Sequence, residues 1–438
     1  MARLKRFGSI VLATAVFLIS GRAAAQKTES PNADNGEADA LVAGGARAGE
    51  KGFELRSAGE HPEYLLRLGA LIQADSRIYF DDRTKDNILL RRVRPILAGT
   101  VLGFLDFNLT PDFGGGQATL VDAYLNARAF PWLRVRVGKF KPPIGLERLQ
   151  GDAELPLPER ALTSNLDPSR DIGVQLWGEV ADAIVTYAAA VLDGAPDNAT
   201  IDQDVGGSKD VAGRLFVQPF KRVPALGTLG LGVAGTTGQR NGNPKATSLV
   251  GLRTTGQTAL FAYSAPASDP TGGSTVFASG RQTRFNPELD FYYRGLGLLG
   301  EVIWSQQEVH KAGELAVLTH RAWHATGSYV IGGTNGYKGA TPDHPWDAGH
   351  GQLGALEIAV RYGAIRFDDA AFPMFADPAN SAHSARNIGF AANWVLSRLA
   401  RLAINYERTR FVGGAGKEGA ILDRPPENFF LTRAQINF

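Results

Sequence analysis

The sequence predicts an all-β fold, a transmembrane antiparallel β-barrel of about 16 strands with one loop folded inward to constrict the lumen. Three observations predict it. The chain begins with an export signal, its body alternates polar and apolar residues with a period of two, and its last segment is an amphipathic strand that stops on Phe438. An exported chain of this kind without a long apolar run is typical of outer-membrane barrels.

The first 25 residues have the organisation of a signal peptide. Basic residues precede an apolar run at residues 10–19, and three alanines at 23–25 provide the small residues that signal peptidase requires. The apolar run is shorter than the roughly 20 residues that a membrane-spanning helix needs. We therefore expect residues 1–25 to be removed, so that the mature chain starts at Gln26.

Composition limits the kinds of structure and function that the remaining chain can have. Residues 26–52 are rich in Ala, Gly, Asn and acids and are predicted to be a flexible periplasmic N-terminal segment, followed by the barrel domain at 53–438. The chain has no cysteine, which excludes a disulfide framework and a thiolate metal site. Loss of residues 1–25 removes four basic residues and no acid, so the formal charge of +2 becomes −2. This balance is not that of a nucleic-acid binder, and any attraction for anions must be local.

Alternation of side chains marks the strands. Within residues 66–80, polar side chains occupy many odd positions and apolar side chains occupy many even positions. Residues 133–137, 356–362 and 402–407 show the same period of two. A soluble β-sandwich would also alternate, but it usually divides into domains of about 100 residues. No boundary of that kind follows the N-terminal segment.

The lengths of the connections predict at which rim of the barrel each connection lies. Short turns such as Phe130-Pro131 are expected at one rim, and long loops such as 193–209, 238–245 and 332–351 at the other. A spanning strand with its share of the connections takes up about 24 residues, which gives roughly 16 strands and a water-filled lumen.

The last segment, residues 429–438, places Phe430, Ile436 and Phe438 on one face and polar residues on the other. A final amphipathic strand that ends in phenylalanine resembles the signal read by the outer-membrane assembly machinery.

Several motifs typical of enzymes are too weak to indicate catalysis. Residues 230–235 fit G-x-G-x-x-G, but no helix follows them. His320 and His324 lie about 13 Å apart if they sit on a strand, too far to share one metal ion. No local Ser, His and Asp grouping suggests a nucleophile and its base. We therefore expect no catalytic residue, metal or cofactor, although a barrel enzyme and a structural barrel remain alternatives from other functional classes.

Arginine on the polar faces is the strongest functional feature. Its guanidinium stays charged, and its forked donors match phosphate or carboxylate oxygens. Arginines that line one wall would replace part of an anion's hydration shell stepwise, and we predict such a ladder. The alternative is that they form structural ion pairs with Asp75, Asp106, Asp122 and Glu179. The ladder candidates occur as pairs on three strands: Arg67 and Arg77, Arg92 and Arg94, Arg134 and Arg136.

The stretch from Pro142 to Asp171 is too long for a tight turn and follows about the fifth strand. A loop at this position can fold inward and narrow the pore. We predict that it sets the constriction. The basic residues expected there are Lys139, Lys141, Arg148 and Arg160.

Several short motifs stand out along the chain: Leu66-Arg67-Leu68-Gly69, Gln73-Ala74-Asp75, Leu90-Arg91-Arg92, Val121-Asp122-Ala123-Tyr124, Val137-Gly138-Lys139-Phe140-Lys141-Pro142-Pro143, Ser169-Arg170-Asp171-Ile172-Gly173 and the closing strand. By these motifs, the chain resembles the phosphate-selective porin O and P family. The resemblance covers residues 53–438 and is clearest before residue 220. It implies a 16-stranded, usually trimeric barrel with an arginine ladder and inward loops that bind phosphate-like anions, and it carries Arg91, Arg92 and Asp122 over as site residues. Strongly phosphate-selective members have a tyrosine where this chain reads Val93-Arg94-Pro95.

Together these features predict an outer-membrane porin of a Gram-negative bacterium, a non-enzymatic channel for passive diffusion of small anions such as phosphate. The alternative is a general or carboxylate-selective porin without phosphate specificity. The expected partners are two further copies of the chain in a homotrimer, outer-membrane lipids, the barrel assembly machinery and small anionic solutes, with no nucleic acid.

Overall fold

The computed structural model describes residues 45–49, 52–58, 63–81, 84–203, 209–266, 273–377, 379–416 and 422–438. These residues belong to one compact unit, Gly45–Phe438. The predicted signal peptide and most of the predicted N-terminal segment lie outside the described residues, so the expected division at residues 25 and 52 stays a prediction.

Sixteen antiparallel strands close into a barrel, as the alternation predicts, and a short hairpin extends the same sheet. The hairpin strands are β1 (Gly45–Gly49) and β2 (Gly52–Arg56). The first eight barrel strands are β3 (Leu65–Tyr79), β4 (Asn87–Val101), β5 (Leu105–Asp112), β6 (Thr119–Phe130), β7 (Leu133–Phe140), β8 (Asp171–Val180), β9 (Val185–Leu192) and β10 (Asp210–Val217). The other eight are β11 (Gly230–Asn241), β14 (Phe277–Tyr293), β15 (Leu296–Lys311), β16 (Glu314–Ile331), β19 (Ala355–Arg366), β20 (Ala382–Val395), β21 (Ala400–Gly413) and β22 (Glu427–Asn437).

The remaining elements are short and lie in the connections. Two small sheets have two strands each: β12 (Leu252–Arg253) pairs with β13 (Ala259–Phe261), and β17 (Gly333–Thr334) pairs with β18 (Thr341–Pro342). The described helices are α1 (Leu146–Leu149) and the 3₁₀ turns Gly114–Gly116, Leu162–Asn165, Ala348–His350 and Asp369–Ala371. No helix among the described residues is long and apolar enough to cross a membrane.

The barrel closes where β22 pairs with β3. Their register aligns Phe429 with Tyr79 and Asn437 with Leu71. Beyond that point Phe438 exchanges backbone hydrogen bonds of 2.8 and 3.0 Å with Ala70, and β2 then continues the pairing along β3. The start and the end of the described unit therefore meet at one rim.

The period of two separates a lumen face from a membrane face. On β14, Arg284, Asn286 and Glu288 are buried inside the barrel, whereas Phe285 and Leu289 are at least 40% exposed on its outer surface. An outer wall of exposed apolar side chains is stable against lipid and would not be stable against water.

One connection lies at the rim opposite to the one predicted. Each strand crosses the wall once, so the order of the strands fixes the rim of every connection. The long loop 141–170 and the described parts of the connections 193–209 and 242–276 belong to one rim, but residues 332–354 lie at the rim of Phe438 with the short turns. The expectation that 332–351 joins the other long loops was wrong, because loop length alone carries no information about the rim.

Candidate functional site

The loop between β7 and β8, residues 141–170, lies inside the barrel. Prolines at 142, 143, 156 and 158 lack the N–H groups that a strand ladder needs, so this stretch cannot continue either strand. Its apolar side chains Leu146, Leu155, Leu157 and Leu162 are each no more than 2% exposed. The prediction of an inward loop is therefore confirmed. We call residues 141–170 the constriction loop.

Side chains from strands far from β7 hold this loop by its backbone. The N–H of Leu146 donates to a carboxylate oxygen of Glu301 on β15 at 2.7 Å. On β21, the guanidinium of Arg401 donates to the carbonyl oxygen of Leu155 at 2.8 Å. The loop thus reaches across the lumen and is tied to the wall on the far side.

A β-bulge brings consecutive arginines to the lumen face of β4. Gln73 of β3 pairs with Arg92, and the next residue of β3 pairs with Leu90, so Arg91 is an extra residue without a partner in the ladder. Such a bulge lets two neighbouring side chains point to one side. Arg91 and Arg92 therefore join Arg94 on the lumen face, although a regular strand would turn Arg91 towards the membrane.

Glu159 of the constriction loop binds three arginines of the wall. Its carboxylate accepts hydrogen bonds from Arg91 and Arg77 at 2.8 Å and from Arg433 at 2.9 Å. Burial alone would raise the pKa of Glu159, but the charges of Arg91, Arg77 and Arg433 hold it well below its ordinary value. Glu159 is therefore an anion at neutral pH and fixes the loop against β3, β4 and β22.

Asp152 of the constriction loop binds the other two lumen-facing arginines of β4. Its carboxylate accepts a hydrogen bond from Arg94, lies 3.3 Å from the Nε atom of Arg92, and accepts a bond of 2.8 Å from Arg160 of the loop. Burial opposes ionisation, yet the charges of Arg92, Arg160 and Arg94 hold the pKa of Asp152 well below its ordinary value. The charges of the β4 arginines are thus partly neutralised by the loop.

One side of the constriction loop borders a cavity of about 340 Å³, which we call the first cavity. Its charged lining has four more positive than negative side chains. Arg253 of β12 is exposed there, and among the described residues its guanidinium forms no ion pair and donates a hydrogen bond of 3.0 Å to the carbonyl oxygen of Gln257. The charged lining residues are Arg91, Arg92, Arg94, Arg148, Arg160, Arg170 and Arg253 with Asp112, Asp152 and Glu159.

The constriction loop also borders a second cavity, of about 680 Å³. Aromatic side chains lie in its wall, whereas the first cavity has none in its lining. The connection 332–354 enters it from the rim of Phe438. Tyr337 of that connection donates from its hydroxyl to the carbonyl oxygen of Leu146 at 2.7 Å. The charged lining residues are Arg136, Lys141, Arg214 and Lys338 with Asp122 and Glu179.

The predicted site residues divide among three places. The first cavity is lined by Arg91, Arg92, Arg94, Arg148 and Arg160. The second cavity is lined by Asp122, Arg136 and Lys141. Neither of these two cavities is lined by Arg67, Arg77, Arg134 and Lys139.

Three of the residues outside the cavities are matched by carboxylates. Arg67 pairs with Glu54 at 2.7 Å, and Arg134 pairs with Glu179 at 2.8 Å. Arg77, only 4% exposed, pairs with Glu159 as described above. These positions fit the structural alternative that the sequence left open.

Lys139 lies outside the lumen. It pairs with Ile172 in the register of β7 and β8, which puts it on the same face as the exposed membrane-facing Val137 and Val174. Its ammonium is buried and bonded to Asp202. The preceding alternation could have indicated this, because Lys139 falls on the odd positions of Val135 and Val137.

Basic residues of the constriction loop bind other groups of the same loop. Lys141 donates to the carbonyl oxygens of Gln150 at 2.6 Å and Leu149 at 3.3 Å. Burial, with the charges of Arg160 and Arg170, holds the pKa of Lys141 well below its ordinary value.

Arg148 donates to Asp167 at 2.6 Å and is 7% exposed. These contacts position the loop and leave little of either cation for solutes.

Sequence reasoning missed several residues that line the cavities. Arg253 lies in a two-residue strand within residues 242–276, and Lys338 in the connection 332–354, where no periodicity indicates the direction of a side chain. The missed carboxylates Asp152 and Glu159 lie 58 to 68 residues from the β4 arginines that they bind. Arg170, at the end of the constriction loop, binds Asp122 of β6 at 2.8 Å and so ties this end of the loop to the wall.

Comparison with known proteins agrees with the barrel architecture. The family model for phosphate-selective porins O and P matches residues 66–410. This chain belongs to that family. A search of curated proteins gives no significant match.

Solved structures resemble this porin in fold at low sequence identity. The anion-selective porin from Comamonas acidovorans is 11% identical, with a TM-score of 0.54 over 86% of this chain and 100% of that chain. The outer membrane channel DcaP of Acinetobacter baumannii is 10% identical, with a TM-score of 0.54 over 86% and 98%. OmpT of Vibrio cholerae is 11% identical, with a TM-score of 0.51 over 87% and 100%. The porin is therefore an outer-membrane protein of a Gram-negative bacterium.

Proposed function

We propose that this porin conducts small anions by passive diffusion and favours oxyanions such as phosphate in its first cavity. The observation that carries the proposal is the excess of four positive side chains around that cavity, in a chain whose mature form has a formal charge of −2. Low-dielectric walls strengthen the field in a narrow section, so a local excess of charge selects ions even when the net charge does not.

Arg91, Arg92 and Arg94 form the ladder in this proposal, and Arg253 extends it on the loop side. Guanidinium groups offer fork-shaped pairs of donors that replace water around an oxyanion. Arg91 is the most exposed of the three strand arginines, at 28%, and Arg253 has no carboxylate partner among the described residues. These two are the cations most accessible to a passing solute.

Purified porin in a planar bilayer under a salt gradient tests the proposal. The reversal potential should have the sign of anion preference, and millimolar phosphate should block chloride current. Cation preference would overturn the proposal of anion passage.

A general anion porin without phosphate specificity is the second candidate. The pairing of Arg92, Arg94 and Arg91 with Asp152, Asp112 and Glu159 favours it, because each carboxylate competes with a solute for the same donors. In this case chloride current would be anion-selective but insensitive to phosphate. The block experiment therefore separates the two candidates.

The remaining features of the proposal concern processing and assembly. We propose a non-enzymatic homotrimer that is exported by a signal peptide at residues 1–25 and inserted by the barrel assembly machinery. The family resemblance supports the trimer, and the motif before Gln26 supports the cleavage. N-terminal sequencing and the mass of the detergent-solubilised porin test these features.

A further inference from the structure

The second cavity differs from the first in the chemistry of its lining. Side chains of Tyr124, Phe140, Trp177 and Tyr337 lie in its wall. Its volume of about 680 Å³ falls within the range of roughly 300 to 1,000 Å³ that is typical of small-molecule sites. A polar cavity for hydrated inorganic ions does not require aromatic walls.

Aromatic rings hold Arg136 in this cavity. Its guanidinium carbon lies 4.5 Å from the ring centre of Tyr124, 5.3 Å from that of Trp177 and 5.7 Å from that of Phe140. The indole N–H of Trp177 donates to Asn126 at 2.9 Å, which fixes the orientation of the indole. Cation–π contacts of this kind position a guanidinium without neutralising it.

Arg136 has no anionic partner in the described part of the chain. It forms no ion pair with a carboxylate there, and its Nε atom is buried without a hydrogen-bond acceptor. Arg134, two residues away on the same face, is by contrast paired with Glu179 at 2.8 Å. A stacked guanidinium keeps the N–H donors of its edge available, and these match the two oxygens of a carboxylate or phosphate.

Apolar groups complete the cavity on the side of the constriction loop. Leu149 of α1 and Tyr337 of the connection 332–354 both line it and are partly exposed. A solute with an oxyanion group and a flat apolar ring would satisfy both the free guanidinium and these surfaces. An inorganic anion would satisfy only the guanidinium.

We propose that the second cavity is a binding site for aromatic oxyanions, in which Arg136 binds the oxyanion and the solute's ring packs against Leu149 and Tyr337. The site deepens the proposed anion pathway and rests on it, since the pathway would deliver the solute. The first cavity then takes small oxyanions, and the second selects for a ring.

Equilibrium binding to the detergent-solubilised full-length porin tests the site without requiring conduction. Phenyl phosphate and methyl phosphate carry the same charged group and differ in the ring. Phenyl phosphate should bind about tenfold more tightly or better, because ring packing adds to the charge contact. Equal affinities would overturn the proposal.

Variants separate the two parts of the site. Arg136→Gln should weaken both ligands at least about tenfold, as expected for the loss of a charged hydrogen-bond donor. Leu149→Ser should lower the preference for phenyl phosphate and leave methyl phosphate nearly unchanged. Lys245→Gln is the control, because it removes an exposed cation that lines neither cavity, and it should change both affinities less than about twofold.

The outcomes distinguish this site from the proposed function. If Arg136→Gln binds phenyl phosphate as the unaltered porin does, or if Lys245→Gln has an equal effect, the site assignment is wrong whatever the channel conducts. If binding follows the expected pattern while reversal potentials show cation preference, the site stands and the proposed anion pathway fails. Electrophoresis of heated and unheated samples checks folding: each variant should show the same mobility shift on heating as the unaltered porin.

Discussion

Arg253 and Arg77 show how differently two lumen arginines can be used. Arg77 is 4% exposed and bound to Asp75 and Glu159, whereas Arg253 is exposed in the first cavity without an ion pair among the described residues. Selectivity depends on charge that solutes can reach, so the unpaired residue matters more to conduction. The buried ion pairs of Arg77 stabilise the folded structure and leave its charge inaccessible to solutes.

Arg253→Gln should therefore weaken anion preference. One unit charge at contact distance in water contributes about 1 kcal/mol, so the anion-to-cation permeability ratio should fall by a factor of about two to five. Reversal potentials measure it. Lys245→Gln, an exposed charge in the same connection that lines neither cavity, is the control and should leave the ratio unchanged. Equal effects of the two variants would contradict the role given to Arg253.

Glu159→Gln should destabilise the barrel in a pH-dependent way. Removing one partner of a buried ion pair costs about 3 kcal/mol or more, and Glu159 is only 3% exposed. Its pKa is lower in the folded state than the unfolded value of about 4.3, so the stabilisation is complete above that pH and is lost as the pH falls through the folded pKa. The difference in free energy of unfolding between the two proteins should be large at pH 7 and shrink below about pH 4.

Glu54→Gln provides the comparison for Glu159→Gln. Glu54 pairs with the half-exposed Arg67 near the rim, and exposed pairs contribute about 0 to 1 kcal/mol. Its loss should change unfolding little at any pH. A pH-independent effect at Glu159 would mean that the side chain stabilises the barrel by packing and not by charge.

At the scale of elements, the constriction loop determines what the lumen can do. Prolines end β7 and keep the loop out of the sheet, and the far wall binds its carbonyl groups. The same loop provides Asp152 and Glu159, which bind arginines of β4, and one wall of both cavities. We therefore expect conductance and selectivity to be coupled through this element.

Deleting Ala153–Leu157 should raise single-channel conductance and weaken ion selectivity. The deletion removes buried Leu155 and Leu157 from the lumen while leaving every barrel strand intact. Conductance histograms and reversal potentials measure both effects. Deleting residues 243–246, an exposed turn that lines neither cavity, is the control. Unchanged conductance after the first deletion would place the constriction elsewhere.

The sequence predicted the strands much better than the site. Alternation indicated the barrel and the lumen face of Arg92, Arg94 and Arg136, because one buried face imposes a period of two. It could not indicate the bulge that turns Arg91 inward, since a bulge depends on the pairing of two strands. Nor could it indicate that Glu159 binds Arg91, 68 residues away, because the inward path of the loop is set by contacts with the far wall.

At the scale of the whole molecule, the last residue extends the strand pairing that closes the barrel. Phe438 pairs with Ala70 through both backbone groups, and its ring packs edge-on against Phe53 at 6.1 Å between centres. These contacts join both ends of the described unit at one rim. The final strand is also the element that resembles the assembly signal.

Phe438→Asp should reduce the amount of folded porin in the outer membrane. It removes the ring that packs on Phe53 and adds a charge at the closing seam, where nearby Ile436 faces the membrane. Folded and unfolded protein in membrane fractions can be compared on gels without heating. Phe53→Ala removes the same ring contact but leaves the final residue intact. A loss confined to Phe438→Asp would assign the effect to the assembly signal, and equal losses would assign it to packing.

The sign of ion selectivity is the most direct test of the account, which attributes it to the arginines of β4 at the constriction loop. Reversal potentials of the unaltered porin in a salt gradient should show anion preference. The same measurement on Arg92→Glu combined with Arg94→Glu should shift it towards cations, because both side chains lie on the lumen face beside Asp152. Cation preference of the unaltered porin, or no shift in the double variant, would contradict the account.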